Sequence, residues 1–225
     1  MLSALFLNRK HAAEELVKKL YDTVSDIKNH DLIVLAIPRG GVIIGDVVAS
    51  HFHCGLDIVV SRKIGAELNP ELAIGALMPD DSYFINERIT NIIPVSQNYI
   101  DNQIRQEKKE IDRRLIEFRG NKIYGNKLQD KTIILVDDGI ATGATIIAAS
   151  QWIKKKHSCK KLIIAVPVAP ARDDTIDKLK GIADKVIVSG IIDEFSAVGQ
   201  FYNNFDQVKD LEVKSIMKRH GYHTL

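Results

Sequence analysis

Short apolar runs alternate with amphipathic stretches along the chain, and their spacing predicts which become strands and which helices. Ala13, Leu16, Val17 and Leu20 recur at helical intervals after Asn8, a residue type that caps helix N-termini, so an accessory amphipathic helix is expected within residues 1–30. The run LIVLAI at residues 32–37 reads as a strand, followed by a glycine turn, a helix and a second strand near residues 56–60. Both strands are almost continuously apolar, the pattern of a sheet covered on both faces. The alternation resumes with a strand at residues 132–136, a helix from about Thr142, a strand at 162–168, a helix near 174–179 and a strand at 186–188. Repeated β/α alternation predicts an α/β fold built on a doubly wound, mostly parallel sheet.

Between the two blocks the pattern changes. PELAIGALMPDDSYFINERI, residues 70–89, predicts a β-hairpin that turns at PDD. Ser96 then caps a long charged helix reaching Gly120, with Ile100, Ile104, Ile111, Leu115 and Phe118 on one apolar stripe. The rest of that helix is solvated or packs on a partner, and an insertion of this kind serves as a lid or a dimer contact. The 225 residues fit one domain: an N-terminal helix, an insertion at 62–125 made of a flexible loop, hairpin and long helix, and a small C-terminal hood at 189–225.

Charge narrows the function classes. Lys and Arg number 31 against 29 Asp and Glu, a formal charge of +2, so no nucleic-acid partner is expected. KKKHSCKK, residues 154–161, is a solvated helix end or at most a local patch. Cys54 and Cys159 form no CxxC or zinc spacing and fit free thiols. His51 and His53 beside Cys54 resemble a metal cluster only in composition, and are expected to end a helix. With no apolar run near the roughly 18 residues of a membrane span, no membrane association is expected and a cytoplasmic location is.

The richest chemistry lies in ILVDDGIATGAT, residues 134–145, where a strand ends on two adjacent carboxylates and runs into small and hydroxyl residues. In an open parallel sheet, ligands gather beyond the carboxyl ends of the strands, which is where Asp137 and Asp138 should fall. Backbone N–H groups of residues 141–145 lie where a loop becomes a helix N-terminus and can converge on an anion, with Thr142 and Thr145 adding hydroxyls. Carboxylates accept hydrogen bonds from vicinal hydroxyls, so acids beside an anion loop point to a sugar phosphate. The alternative is two aspartates that merely cap a turn. A Walker B strand is excluded because the chain has no GxxxxGK[ST], a receiver domain because no phosphoacceptor aspartate ends a later strand, and a dinucleotide site because GxGxxG is missing.

This stretch resembles the phosphoribosyl-pyrophosphate (PRPP) signature of type I phosphoribosyltransferases. By that resemblance Asp137 and Asp138 hold the ribose hydroxyls, while Ala141, Thr142, Gly143, Ala144 and Thr145 hold the 5′-phosphate. PRGG, residues 38–41, stands where the family places its pyrophosphate loop, and SRKIG, residues 61–65, follows the second strand where basic residues meet the same group. Arg39, Gly40, Gly41, Arg62 and Lys63 are therefore implied pyrophosphate ligands, with a non-proline cis peptide implied at the Arg39–Gly40 bond. PRGG could instead be a plain turn and Arg62-Lys63 a solvated pair. Together with AVPVAP and FSAVGQFYNNFDQV these motifs resemble a bacterial subgroup with no generally assigned acceptor, over most of residues 32–213 and faintly at FLNRKHAAEEL. The base-specificity signatures of the purine, orotate and uracil enzymes are not recognisable in it.

The resemblance implies displacement of pyrophosphate from C1 of PRPP, with Mg²⁺ held largely by the substrate and contacted directly or through water by Asp137 and Asp138. Asp137, Asp138, Arg62 and Lys63 carry the implied catalysis, and Glu71 in the loop after Arg62 is a candidate cover residue. For the acceptor, Phe195, Phe201, Tyr202 and Phe205 stack a planar base or pack the hood. A PRPP-binding regulator without catalysis is the rival reading, a silent partner subunit the third, and a homodimer is expected.

Overall fold

The computed structural model describes residues 4–172 and 174–225, and the side chains of all of these except Glu71 and Arg88. The cover role considered for Glu71 thus falls on a side chain outside the described residues. The chain opens with α1 (Arg9–Val24), whose Asn8 carboxamide accepts from the backbone N–H of His11 at 3.0 Å, as the sequence predicts. Next come β1 (Leu32–Ala36), α2 (Gly40–His51) and β2 (Gly55–Ile58). A second group holds β3 (Arg62–Ala66), β4 (Asn69–Leu77), β5 (Tyr83–Ile85), α3 (Glu87–Ile92) and α4 (Gln97–Arg119). The α/β alternation then continues through β6 (Thr132–Val136), α5 (Ala144–Lys156), β7 (Lys161–Pro170), α6 (Thr175–Ile182), β8 (Lys185–Ile192) and α7 (Asp210–Arg219).

Five strands form a parallel sheet in the order β2-β1-β6-β7-β8. Every residue of β1 and β6 is buried, which explains their unbroken apolar runs: α1 and α2 lean on the sheet from one side, and α5 and α6 belong to the later crossovers. Each such Leu or Ile side chain withdrawn from water contributes roughly 1.5–3 kcal/mol, so the centre of the sheet is the most strongly anchored part of the molecule. The order reverses direction between β1 and β6, making the gap beyond their carboxyl ends the topological switch point at which such sheets bind ligands.

The insertion is a second, antiparallel sheet of three strands, β3-β4-β5. The hairpin expected at PDD joins β4 to β5, and the loop expected after Arg62 is instead β3, paired antiparallel with β4 from Arg62 to Ala66. Its Ile64 and Ala66 are buried together with Ile74, Ala76 and Leu77 of β4, so alternating small and apolar residues gain more as a sheet than as a free loop. α4 lies along this sheet with Ile100, Ile111, Leu115 and Phe118 buried and Ile104 half-buried, the predicted stripe. Ser96 caps it by accepting from Tyr99 N–H at 3.2 Å.

Two boundaries and one peptide bond differ from expectation for identifiable reasons. β8 runs from Lys185 to Ile192 because β7 offers it a partner along most of that length. α5 begins at Ala144, two residues later than predicted, because Gly143 is left-handed at φ +73°. The non-proline cis peptide joins Pro38 to Arg39, one bond before the position expected, since the Arg39–Gly40 peptide already belongs to the first turn of α2, where Arg39 C=O accepts from Val42 N–H. No described helix is long and apolar enough to cross a membrane.

Candidate active site

Two turns meet at the switch point. β1 continues through Ile37, whose N–H donates to Val136 C=O at 3.0 Å, so the PRGG turn and the acid pair leave the sheet side by side. Their packing depends on Gly40: a Cβ there would lie 1.8 Å from Asp138 Oδ2. Only a residue without a side chain allows the carboxylate to rest against the start of α2. Asp137 Oδ1 in turn accepts from the backbone N–H of Asp138 at 2.8 Å.

Both acids are partly withdrawn from water. Burial, and then the neighbouring charge of Asp138, hold the Asp137 carboxyl well above the usual carboxylate range. Burial also raises Asp138, but there the guanidinium of Arg9 opposes it. Of the two, Asp137 is therefore held the more strongly toward its protonated form, while Arg9 favours the charged form of Asp138.

After the acids, Ile140 N–H donates to Val168 C=O at 2.9 Å and fixes the loop on β7. Ala141 and Thr142 are exposed, Gly143 and Ala144 buried and Thr145 half-buried at the start of α5. The first amides of a helix have no partner within it, and those of α5 follow directly on the exposed Thr142. Gly143 is confined as well as left-handed, since a Cβ would meet Thr175 Cγ2 at 2.3 Å.

The basic residues lie around this centre and are turned toward carboxylates. Arg39 Nη1 donates to Asp210 of α7 at 3.2 Å. Arg62, at the start of β3, donates to Glu107 of α4 at 2.5 Å, and Lys63 is exposed. Between them and the end of β2 the hydroxyl of Ser61 is buried without a hydrogen-bond partner. An orphaned donor at that place is the kind of group a bound anion would satisfy.

Among the aromatics expected at the acceptor, Phe201 and Tyr202 are buried, with Phe201 against Phe195 at 4.9 Å and Tyr202 against Phe205 at 4.8 Å between ring centroids. Phe195 and Phe205 are half-buried, so they keep some ring surface open. Tyr202 also donates its hydroxyl to Asp138 C=O at 2.6 Å, tying the hood to the acid pair. His51 ends α2, as expected, and Lys154, near the C-terminal end of α5, pairs with Asp184.

Arg9 joins the site without having been expected there. Its Nε donates to Asp138 Oδ2 at 2.7 Å, its Nη1 to Asp206 C=O at 2.9 Å, and its guanidinium carbon lies 3.8 Å over the Phe205 ring. The N-terminal segment reaches the hood by pairing with it: Phe6 N–H donates to Phe201 C=O, and Asn203 and Asn204 N–H donate to Phe6 and Leu7 C=O. Besides the faint likeness at FLNRKHAAEEL, the sequence signals it by a cationic first turn, Arg9-Lys10, at the positive end of a helix dipole where acids are the favoured residues.

A family model described as the phosphoribosyl transferase domain matches residues 5–204. A Mycobacterium tuberculosis protein named "Putative phosphoribosyl transferase", found in strains CDC 1551 and H37Rv, is 35% identical over 215 residues, 96% of this chain. The chain spans about half of that relative, 47% of its length. Among solved structures, TT1426 from Thermus thermophilus matches with a TM-score of 0.75 and 29% identity over 95% of this chain and 98% of that one. A hypothetical protein from Neisseria gonorrhoeae with bound ppGpp shares the fold at a TM-score of 0.51 and 10% identity, over 97% and 98% of the two chains.

Proposed function

Since the chain belongs to the phosphoribosyl transferase domain family, we propose that it transfers the 5-phosphoribosyl group of PRPP to a nitrogenous acceptor, a nucleobase being one candidate, and releases pyrophosphate. The observation that carries this reading is the convergence of PRGG, the acid pair and the loop before α5 at one switch point, with Gly40 and Asp138 in contact.

In this reading the amides and hydroxyls of residues 141–145 take the 5′-phosphate, and Asp137 and Asp138 accept from the ribose hydroxyls. Arg39, Gly40, Gly41, Arg62 and Lys63 face the pyrophosphate, with the orphaned Ser61 hydroxyl as a further donor. The C1–O bond to pyrophosphate breaks, the leaving oxygen keeps the electron pair, and a C1–N bond forms to the acceptor. The departing charge is what the arginines stabilise, so most of the catalysis is electrostatic. The proton lost by the acceptor nitrogen is taken by the acid pair.

Arg39 and Arg62 must exchange their present carboxylate partners for phosphate oxygens. Both ion pairs are partly exposed, of the kind worth at most about 1 kcal/mol, so a polyanionic ligand can displace them. Among the described residues no group of three or more His, Cys, Asp or Glu side chains could hold a metal. Two carboxylates beside a phosphate site suit Mg²⁺, which is commonly held by one or two carboxylates together with substrate phosphates. Asp137 and Asp138 would contact it, and its charge would offset that of the pyrophosphate. A cytoplasmic homodimer contacting through α4 belongs to the same proposal.

The test is incubation with Mg-PRPP and a panel of bases and amines, following pyrophosphate release, with Asp138→Asn as control. Acceptor-dependent release abolished by the substitution is expected. PRPP binding without turnover would favour a regulatory protein, and absence of both would refute the PRPP reading.

A further inference from the structure

We propose that Arg9 is a sugar-binding residue, its guanidinium and the Asp138 carboxylate together gripping a ribose hydroxyl from two sides. The proposal rests on the PRPP reading of the site and adds to it a residue from the N-terminal arm.

A hydroxyl is both donor and acceptor, while an ionised carboxylate can only accept. An acid pair alone therefore binds the hydroxyl hydrogen and leaves the oxygen lone pairs to water. A guanidinium donor next to the carboxylate completes the match. Arg9 is placed for this: it meets Asp138 through Nε alone, at one carboxylate oxygen, which leaves accepting capacity on Asp138 for a sugar.

Several features hold the guanidinium at that spot. The Phe205 ring supports its face, Asp206 C=O fixes Nη1, and the arm preceding it is pinned by backbone hydrogen bonds to residues 201–204. Gly40 makes room as well, since a Cβ there would also crowd Arg9 Nε at 2.9 Å. The helix dipole opposes a cation in the first turn, so the contacts to Asp138, Asp206 and Phe205 are what keep Arg9 there. The Arg9 and Asp138 side chains remain 11% and 16% exposed, so the pair is sheltered but reachable.

The full chain is titrated calorimetrically with Mg-PRPP, ribose 5-phosphate and inorganic pyrophosphate, as wild type, Arg9→Gln and Arg9→Lys. Losing a charged donor to the sugar should weaken ribose 5-phosphate and PRPP about tenfold or more in Arg9→Gln, with pyrophosphate binding unchanged and Arg9→Lys intermediate. Equal weakening of all three ligands would make Arg9 architectural and overturn the proposal. Unchanged or tighter ribose 5-phosphate binding in Arg9→Gln would overturn it too, the latter by showing that Arg9 competes with the sugar. If Arg9→Gln does not fold, Arg9→Lys and Phe205→Leu decide: sugar-selective weakening supports the proposal, and uniform or absent weakening overturns it. Wild type that binds neither sugar ligand overturns this proposal and the PRPP reading together, whereas a failure confined to the variants overturns this one alone.

Discussion

Arg119 and Arg9 each meet an aspartate, and the way they do so separates a wall from a site. Arg119, at the end of α4, grips Asp57 of β2 through Nε and Nη2 at 2.6 and 2.9 Å, both side chains 0% exposed. Its Nη1 donates to Asn121 C=O, and its guanidinium carbon lies 4.2 Å over Tyr124. Nothing is left over for a ligand, and the pair fastens the insertion to the parallel sheet. Arg9 meets its aspartate through one nitrogen on one oxygen, spends Nη1 on Asp206 C=O and stays at the rim. The same two chemical groups make a rivet when every hydrogen bond is consumed and a binding device when some are kept back.

The contrast can be broken from either end. Arg119→Ala leaves a buried, uncompensated carboxylate and should cost about 3–5 kcal/mol of stability in chemical denaturation, while the folded fraction binds Mg-PRPP as wild type does. A stable Arg119 variant with impaired PRPP binding would place that pair in the site after all. Gly40→Ala tests the opposite end: its methyl group must push Asp138 aside, and a displacement of that order should lower pyrophosphate release about a hundredfold. Retained activity would mean that the contact between turn and acid pair is dispensable. Tyr202→Phe removes the hydroxyl bond to Asp138 C=O and should cost about 0.5–1.5 kcal/mol by thermal or denaturant unfolding. A larger loss of sugar binding than of stability would make the hood part of the ribose subsite.

The smallest effect concerns a third kind of ion pair, on the solvated face of α4. Hydrogen bonding from Arg113, reinforced by Arg114, holds the Glu110 carboxyl down at about 2. Because the folded value is depressed, this stability is present above the ordinary range near 4.5 and is lost as pH falls toward 2. Pairs of this type on a helix surface contribute only about 0.2–0.5 kcal/mol each. Glu110→Gln should therefore flatten the acid limb of stability slightly, and a flattening as deep as the Arg119 loss would erase the distinction between rivet and surface pair.

Much of the architecture could be read because it depends on neighbours in sequence. The apolar runs of β1 and β6, the Asn8 and Ser96 caps and the stripe of α4 each declare themselves within one element. The acid pair was legible for the same reason, since a strand, two carboxylates and a small-residue loop follow one another directly. Arg9 was not, because its partner lies 129 positions away and its meaning comes from the hood that holds it. Asp57 and Arg119, 62 positions apart, were hidden likewise: one sits in an apolar strand, the other at the end of a charged helix. The β3 strand was missed because its pairing with β4 outweighed a glycine-containing stretch that looks mobile by itself.

The pairing of the N-terminal arm with residues 201–204 also sets a timetable. On the ribosome Arg9 is made roughly two hundred residues before the segment that pins its arm and the ring on which it rests. Until then a nascent chain can carry both aspartates and the phosphate loop and still lack the fastening that brings Arg9 to them. Completion of the site thus waits on both sides of the matched region rather than on its middle.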